Sequence, residues 1–135
     1  MIRELTWKLR KRSLKKCKLL VLDVDGVLTD GSLIYLKDEI IRKFCVLDGL
    51  GIKMLIRSGV EVAFISGGKG EEIHSRAKHL GVKYCYTEIF NKYETLRELQ
   101  KLLSINISET IYVGDDLNDL IVKPLVNLFV IPNNA

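Results

Sequence analysis

The sequence predicts an α/β fold, a three-layer sandwich in which a mostly parallel sheet lies between two layers of helices. Three observations carry this. Short continuous apolar runs recur from residue 18 onward, segments of helical length separate them, and glycines stand where helices should close. A strand covered on both faces has no polar side, so it reads as an unbroken apolar run rather than an alternation.

The first such run is Leu19–Leu22. Directly after it, residues 32–36 and 40–46 form two short β-type runs parted by Lys37, Asp38 and Glu39, which is a hairpin signal. A hairpin at this point stands above the carboxyl ends of the strands, where open α/β sheets bind ligands. The alternation then resumes. Helix 49–58 precedes strand 60–65, helix 70–80 precedes strand 82–86, and helix 91–103 precedes strand Thr110–Val113. Helix 116–124 and strand 128–131 complete the order. Gly59 and Gly81 follow Ser58 and Leu80, where the first two helices should end. The sequence contains no internal repeat or low-complexity tract.

The 135 residues, 47% hydrophobic and 28% charged, suit one domain that buries roughly two-thirds of its unfolded surface. Two Pro and ten Gly exclude collagen-like and disordered classes. No apolar run approaches the roughly 18 residues of a membrane span, so no membrane partner is expected. The net charge of +4 is unevenly distributed. Residues 1–18 hold eight Lys/Arg against Glu4 alone, whereas the remainder holds 13 bases against 16 acids. The expected division is therefore a basic, solvated helical extension over 1–17 and a mildly acidic body over 18–135. The extension is also Arg/Lys-rich and acid-poor enough to fit an organelle transit peptide. Trp7 is its only aromatic residue and no nucleic-acid motif is present, so no nucleic-acid partner is expected. Cys17, Cys45 and Cys85 form no C-x-x-C pair, which points to a reduced, cytoplasmic protein.

The chemistry lies at the ends of the predicted strands. In LLVLDVDGVLTDG, residues 19–31, Asp23 and Asp25 close the first strand and Gly26 lets the chain turn. Residues two apart on a strand point the same way, so two carboxylates can face one reacting group. Solvated loop acids are the blander reading of that motif alone. In ETIYVGDDLND, residues 109–119, another strand ends in Gly114, Asp115 and Asp116, with Asp119 one turn on. Acids at a helix start complement the macrodipole, but that leaves the matching pair at Asp23 and Asp25 unexplained. Two such clusters suit Mg²⁺, which takes carboxylates, waters and substrate phosphate. Between them, Ser66 with Gly67, Gly68 and Gly70 precedes a helix start that can receive a phosphate, and Lys92 can meet a phosphoryl oxygen. Each is weak alone; the order along the strand ends is the stronger signal. His74 and His79, five apart on a predicted helix, occupy different faces and read as surface residues rather than ligands.

These four segments resemble the four motifs of the haloacid dehalogenase-like phosphatases, and more closely the capless group typified by 3-deoxy-D-manno-octulosonate (KDO) 8-phosphate phosphatase. DVDGVLTDG, FCVLDGLGIKML and VGDDLND carry the resemblance, which runs from Lys18 to the end. It implies a Rossmann-like sandwich with the hairpin inserted after the first strand and no cap domain. It also implies a homotetramer through that hairpin, and Mg²⁺-dependent hydrolysis of a sugar-acid phosphate such as KDO 8-phosphate in lipopolysaccharide precursor synthesis. Asp23 is then the nucleophile that forms an aspartyl-phosphate, and Asp25 the general acid and base. Asp23, the Asp25 carbonyl and Asp115 hold the metal. Ser66, Gly67 and Lys92 bind the phosphoryl group, and Asp116 and Asp119 support the site. Asp48, Gly49 and Lys69 are the substrate-proximal residues.

The chain departs from the group's pattern twice. Gly68 and Lys69 stand where the group commonly has an Arg directly after Ser/Thr-Gly, and the family's C-terminal helix and Gly-rich tail are missing after Ile131. An N-acylneuraminate 9-phosphate phosphatase, or a weakly catalytic assembly domain associated with a sugar-activating enzyme, are the alternatives. A two-component receiver fits less well, because its phosphoacceptor lies on a later strand than its metal-binding acidic pair.

Overall fold

The structure, a computed structural model, describes residues 10–133 and 135. Residues 10–15 are helical, while Trp7 and the rest of residues 1–9, most of the expected extension, lie outside the described residues. Beyond them the order is β1 (Leu19–Leu22), β2 (Ile34–Leu36), β3 (Glu39–Ile41), α1 (Val46–Arg57), β4 (Glu61–Ile65), α2 (Glu71–Leu80), β5 (Tyr84–Tyr86), α3 (Lys92–Leu103), β6 (Thr110–Val113), a 3₁₀ segment (Leu117–Leu125) and β7 (Leu128–Val130). Five strands form one parallel sheet in the order β5-β4-β1-β6-β7, and β2 pairs with β3 as a separate antiparallel hairpin. The predicted α/β class and inserted hairpin are both present.

Strand periodicity divides the core in two. Leu22, Val62 and Phe64 face one side of the sheet, where Ile52 of α1 and Ile73, Ala77 and Leu80 of α2 cover them. Leu19, Val21, Ala63 and Ile65 face the other, beneath Leu96 and Leu99 of α3 and Val122 and Leu125 of the 3₁₀ segment. Each large apolar side chain so buried contributes about 1.5–3 kcal/mol. Tyr112 stacks on Phe129 with ring centroids 5.6 Å apart. Among the described residues no helix is long and apolar enough to cross a membrane.

Three of the elements that depart from the sequence reading bear on the site. Helix α1 starts at Val46 rather than 49, because Cys45 is the extended N-cap residue. The predicted β-run 40–46 correspondingly shrinks to the end of β3 at Ile41, and Arg42 turns inward instead of continuing the ladder. The predicted helix 116–124 is a 3₁₀ segment, with Pro124 unable to donate the backbone hydrogen bond that an α-helix needs there.

Strand order reverses beside β1, since the chain moves outward through β4 and β5 and returns to β6 on the opposite side. Ligands bind at such a switch point, outside the carboxyl ends of the strands. The Asp23 N–H donates to the Val113 carbonyl at 3.0 Å, extending the ladder so that Asp23 lies beside Gly114 and Asp115. At the far edge of the same layer, the buried Gln100 amide donates to the Thr110 hydroxyl at 2.9 Å and to the Leu125 carbonyl at 2.8 Å. Gln100→Leu strands both acceptors, so it should destabilise the protein by about 1–3 kcal/mol, read as a lowered urea midpoint. An unchanged midpoint would refute this role.

Candidate active site

Asp23 follows β1, Ser66 follows β4, Lys92 opens α3 and Asp115 follows β6. The open sheet thus delivers each of these side chains to one place. They line a cleft of about 480 Å³ together with Asp25, Gly67 and Asp116. The turn after Asp23 is held by the Val24 carbonyl, which accepts from the N–H groups of Val27, Leu28 and Thr29. Gly26 adopts φ +83°, and a Cβ there would collide with the Asp115 carboxylate, so only glycine lets the two acidic loops approach.

Lys92 is 5% exposed and ties the two loops together. Its ammonium donates to Asp23 Oδ1 at 2.9 Å and to Asp119 Oδ1 at 2.6 Å. Asp119 is fully buried and saturated: its Oδ1 also accepts from the Tyr112 hydroxyl at 2.7 Å, and its Oδ2 from the backbone N–H groups of Asp115 and Asp116. Oxygens of Asp23, Asp115 and Asp119 lie within 4.8 Å of one another. With Asp119 occupied by four donors, Asp23 and Asp115 are the carboxylates free to take a divalent cation. Their chemistry fits a hard, oxygen-binding ion.

The electrostatics agree. Burial pushes the Asp23 carboxyl up to about 6, against the pull of Lys92 and with the added repulsion of Asp119. Burial also raises Asp115. For Lys92, burial alone would lower the pKa, but Asp23 and Asp119 outweigh it and the ammonium is held charged. Tyr112 is raised by burial and by its bond to Asp119, which keeps it a donor.

Ser66 is 1% exposed, and its Oγ accepts from the Gly68 N–H at 3.0 Å, which leaves the hydroxyl proton to donate into the cleft. The Ser66 carbonyl accepts from Ile89 and the Gly68 carbonyl from Glu88, so the loop is fastened to the segment before α3.

Three of the predicted site residues lie elsewhere within the chain. Asp48 and Gly49 sit in the first turn of α1, because that helix starts earlier than expected. Gly49 packs on α2, where a Cβ would stand 2.5 Å from Arg76 Nη2, and Asp48 is exposed beside a shallow groove along α1. Lys69 is turned to a second hollow beside the hairpin. His74 bonds the Thr87 hydroxyl at 3.0 Å, away from the cleft.

Two contributors escaped the sequence reading. The Tyr112 hydroxyl is hidden in an apolar strand run, where nothing distinguishes it from core. Arg42, 7% exposed, grips Asp25 with Nε to Oδ1 at 2.7 Å and Nη2 to Oδ2 at 3.1 Å. A lone arginine at a strand end carries no sequence signal for this.

No family model matches the chain. The KDO 8-phosphate phosphatase of Escherichia coli is 42% identical over 115 residues, 84% of this chain and 61% of that protein. The chain spans about three fifths of the length of the curated relatives it matches. The crystal structure of the KDO 8-phosphate phosphatase from Moraxella catarrhalis, with magnesium, phosphate and KDO, is 34% identical at a TM-score of 0.89, covering 95% of this chain and 74% of that one. The chain belongs to this family of haloacid dehalogenase-like phosphatases. A HAD superfamily (subfamily III A) hydrolase from Legionella pneumophila, 35% identical, superimposes at a TM-score of 0.94 over 98% of this chain and 74% of that one.

The raised Asp23 value has a thermodynamic consequence. A carboxyl that holds its proton more tightly when folded contributes stability at low pH and loses it as pH rises. In a metal-free solution the stability of the wild type relative to Asp23→Asn should therefore fall as pH climbs from 3.8 to about 6. Added divalent cation should raise the wild-type midpoint more above that range than below it. Thermal melts with chelator or cation across pH check both, and a flat difference would contradict the raised carboxyl.

Proposed function

We propose that the chain is a Mg²⁺-dependent phosphatase of a sugar-acid phosphate, with KDO 8-phosphate as the preferred substrate and an aspartyl-phosphate as the intermediate. The observation that carries this is the buried Asp23, paired with Lys92 and facing the same cleft as Asp25, Ser66 and Asp115. The Moraxella relative, whose crystal structure contains magnesium, phosphate and KDO, supports the cofactor and the substrate class.

In this reading the Asp23 carboxylate attacks phosphorus in line, and covalent catalysis replaces one difficult displacement by two easier ones. Lys92 holds that carboxylate in place and offers its charge to the phosphoryl oxygens, helped by the Ser66 hydroxyl and the Gly67 N–H. Asp25 gives a proton to the departing alkoxide and later takes one from the water that attacks the phospho-aspartate. Asp119 fixes Lys92, and Asp116 caps the 3₁₀ segment through Leu117 N–H. Magnesium, held by the Asp23 and Asp115 carboxylates and the Asp25 carbonyl, neutralises the repulsion between an anionic nucleophile and an anionic phosphate.

The hairpin provides the second half of the reading. Ile34, Tyr35 and Leu36 of β2 are successive exposed apolar residues, joined by Ile41 of β3. A strand of that kind is a pairing surface. We assign it to a homotetramer that brings neighbouring chains to the cleft, in a cytoplasmic enzyme.

Asp23→Asn should lower turnover at least about 10³-fold while the far-UV spectrum stays that of the wild type. Phosphate release is followed over a panel of KDO 8-phosphate, N-acylneuraminate 9-phosphate and hexose phosphates, with and without Mg²⁺. Release that needs Mg²⁺ and favours the eight-carbon acid supports the assignment; release from none of them overturns it. Tyr35→Glu with Ile34→Lys should yield smaller assemblies by light scattering, and an unchanged mass would remove the hairpin from the interface.

A further inference from the structure

Arg42 is the least expected charge in the molecule. It follows β3, yet its side chain is only 1% exposed, whereas the neighbouring Lys43 side chain is 83% exposed. Its guanidinium makes four bonds. Two go to the two oxygens of Asp25, one from Nη1 to the Lys69 carbonyl at 2.9 Å, and one from Nη1 to the Glu72 carboxylate. A forked, bidentate grip on a carboxylate fixes both the distance and the plane of that group. Arg42 faces the hollow beside the hairpin while Asp25 faces the cleft, so the pair forms the wall between them. Gly68 leaves the space for it: a Cβ there would stand 2.7 Å from both Arg42 Nη2 and Asp25 Oδ2.

Resting on the phosphatase reading above, we propose that Arg42 is a positioning residue that sets the orientation of Asp25 for proton transfer, and that Glu72 is the anion that keeps Arg42 in place when Asp25 lets go. In the first half-reaction the P–O bond to the leaving oxygen breaks and its electron pair stays on that oxygen. The Asp25 carboxyl supplies the proton. To reach the leaving oxygen that carboxyl must turn from the guanidinium, and a buried arginine left with no partner is strongly disfavoured. Glu72 and the Lys69 carbonyl spare it that, because they hold Nη1 independently of Asp25. The carboxylate left after the transfer takes a proton from the water that attacks the phospho-aspartate, because that water enters where the leaving oxygen stood, and the reprotonated carboxyl returns to the fork when the cycle closes. The hairpin and α2 therefore meet at the acid–base residue, with Arg42 contributed by the first and Glu72 by the second.

The test uses the leaving group. Arg42→Lys keeps the charge and loses the fork. With a sugar phosphate, whose alkoxide must be protonated, it should lower kcat about 10–100-fold with KM changed less than about threefold. With 4-nitrophenyl phosphate, whose phenolate departs with little help, kcat should fall less than about threefold. Adding Arg42→Lys to Asp25→Asn should lower the residual sugar-phosphate rate no further, since partners in one step are not additive. Gly68→Ala crowds the pair without removing it and should show the same split between the esters, which keeps the idea testable if the Arg42 variant does not fold. Equal losses on both esters, or an additive double variant, would overturn the role of Arg42 alone. A wild-type protein that hydrolyses neither ester would overturn the phosphatase reading and this inference with it.

Discussion

One buried ammonium, that of Lys92, joins two carboxylates that would otherwise repel each other. Taking ions out of water costs several kcal/mol each, and only close pairing with every hydrogen-bonding site filled offsets it. The pairing here is close: Lys92 binds Asp23 and Asp119, and Asp119 fills its remaining sites with Tyr112 and two backbone N–H groups. Among the described residues no buried side-chain polar atom lacks a partner. This knot ties the start of α3 to the ends of β1 and β6 and to the 3₁₀ segment. It also leaves an excess of negative charge, because a single ammonium serves two carboxylates with Asp115 close by. Burial, with that excess added to it, raises Asp23, and the excess favours a cation among the acids.

The two acids of the D-x-D pair are separated by their partners rather than by their spacing. Asp23 is drawn toward the sheet by Lys92, a buried point charge, and Asp25 toward the hairpin by the planar fork of Arg42. Two identical side chains two residues apart thus acquire different surroundings, one 6% exposed and the other forming a cleft wall. Division of labour between paired carboxylates commonly arises in this way, through environment and not identity. The hairpin thus presents apolar side chains outward from β2, while Arg42, just beyond β3, turns a cation inward.

Much of this was legible in the sequence because it depends on local pattern. Apolar runs such as Leu19–Leu22 lack a polar side, which marks strands buried on both faces, and Gly81, at φ +81°, ends α2 where it was expected. The acidic residues, Ser66 and Lys92 each follow or precede a strand or helix boundary, and a parallel sheet places all such boundaries at one edge. What was misread depended on geometry across elements. The start of α1 was set three residues late because Val46 reads equally well as strand or helix. Asp48, Gly49 and Lys69, named from the resemblance alone, are not among the residues that line the cleft. The 3₁₀ character of Leu117–Leu125 was signalled only by Pro124.

The sequence by itself determined the fold class, the order of its elements and the chemistry available at the strand ends, since these follow from periodicity and from residues at chain-local positions. Only the tertiary structure decided which groups pair. Lys92 and Asp23 are 69 residues apart, and Arg42 and Asp25 are 17 apart across a hairpin. Such pairings come from strand order and the direction in which each side chain leaves its backbone, and no local pattern encodes either. That is why Tyr112 and Arg42, ordinary in the chain, become parts of the cleft in the fold.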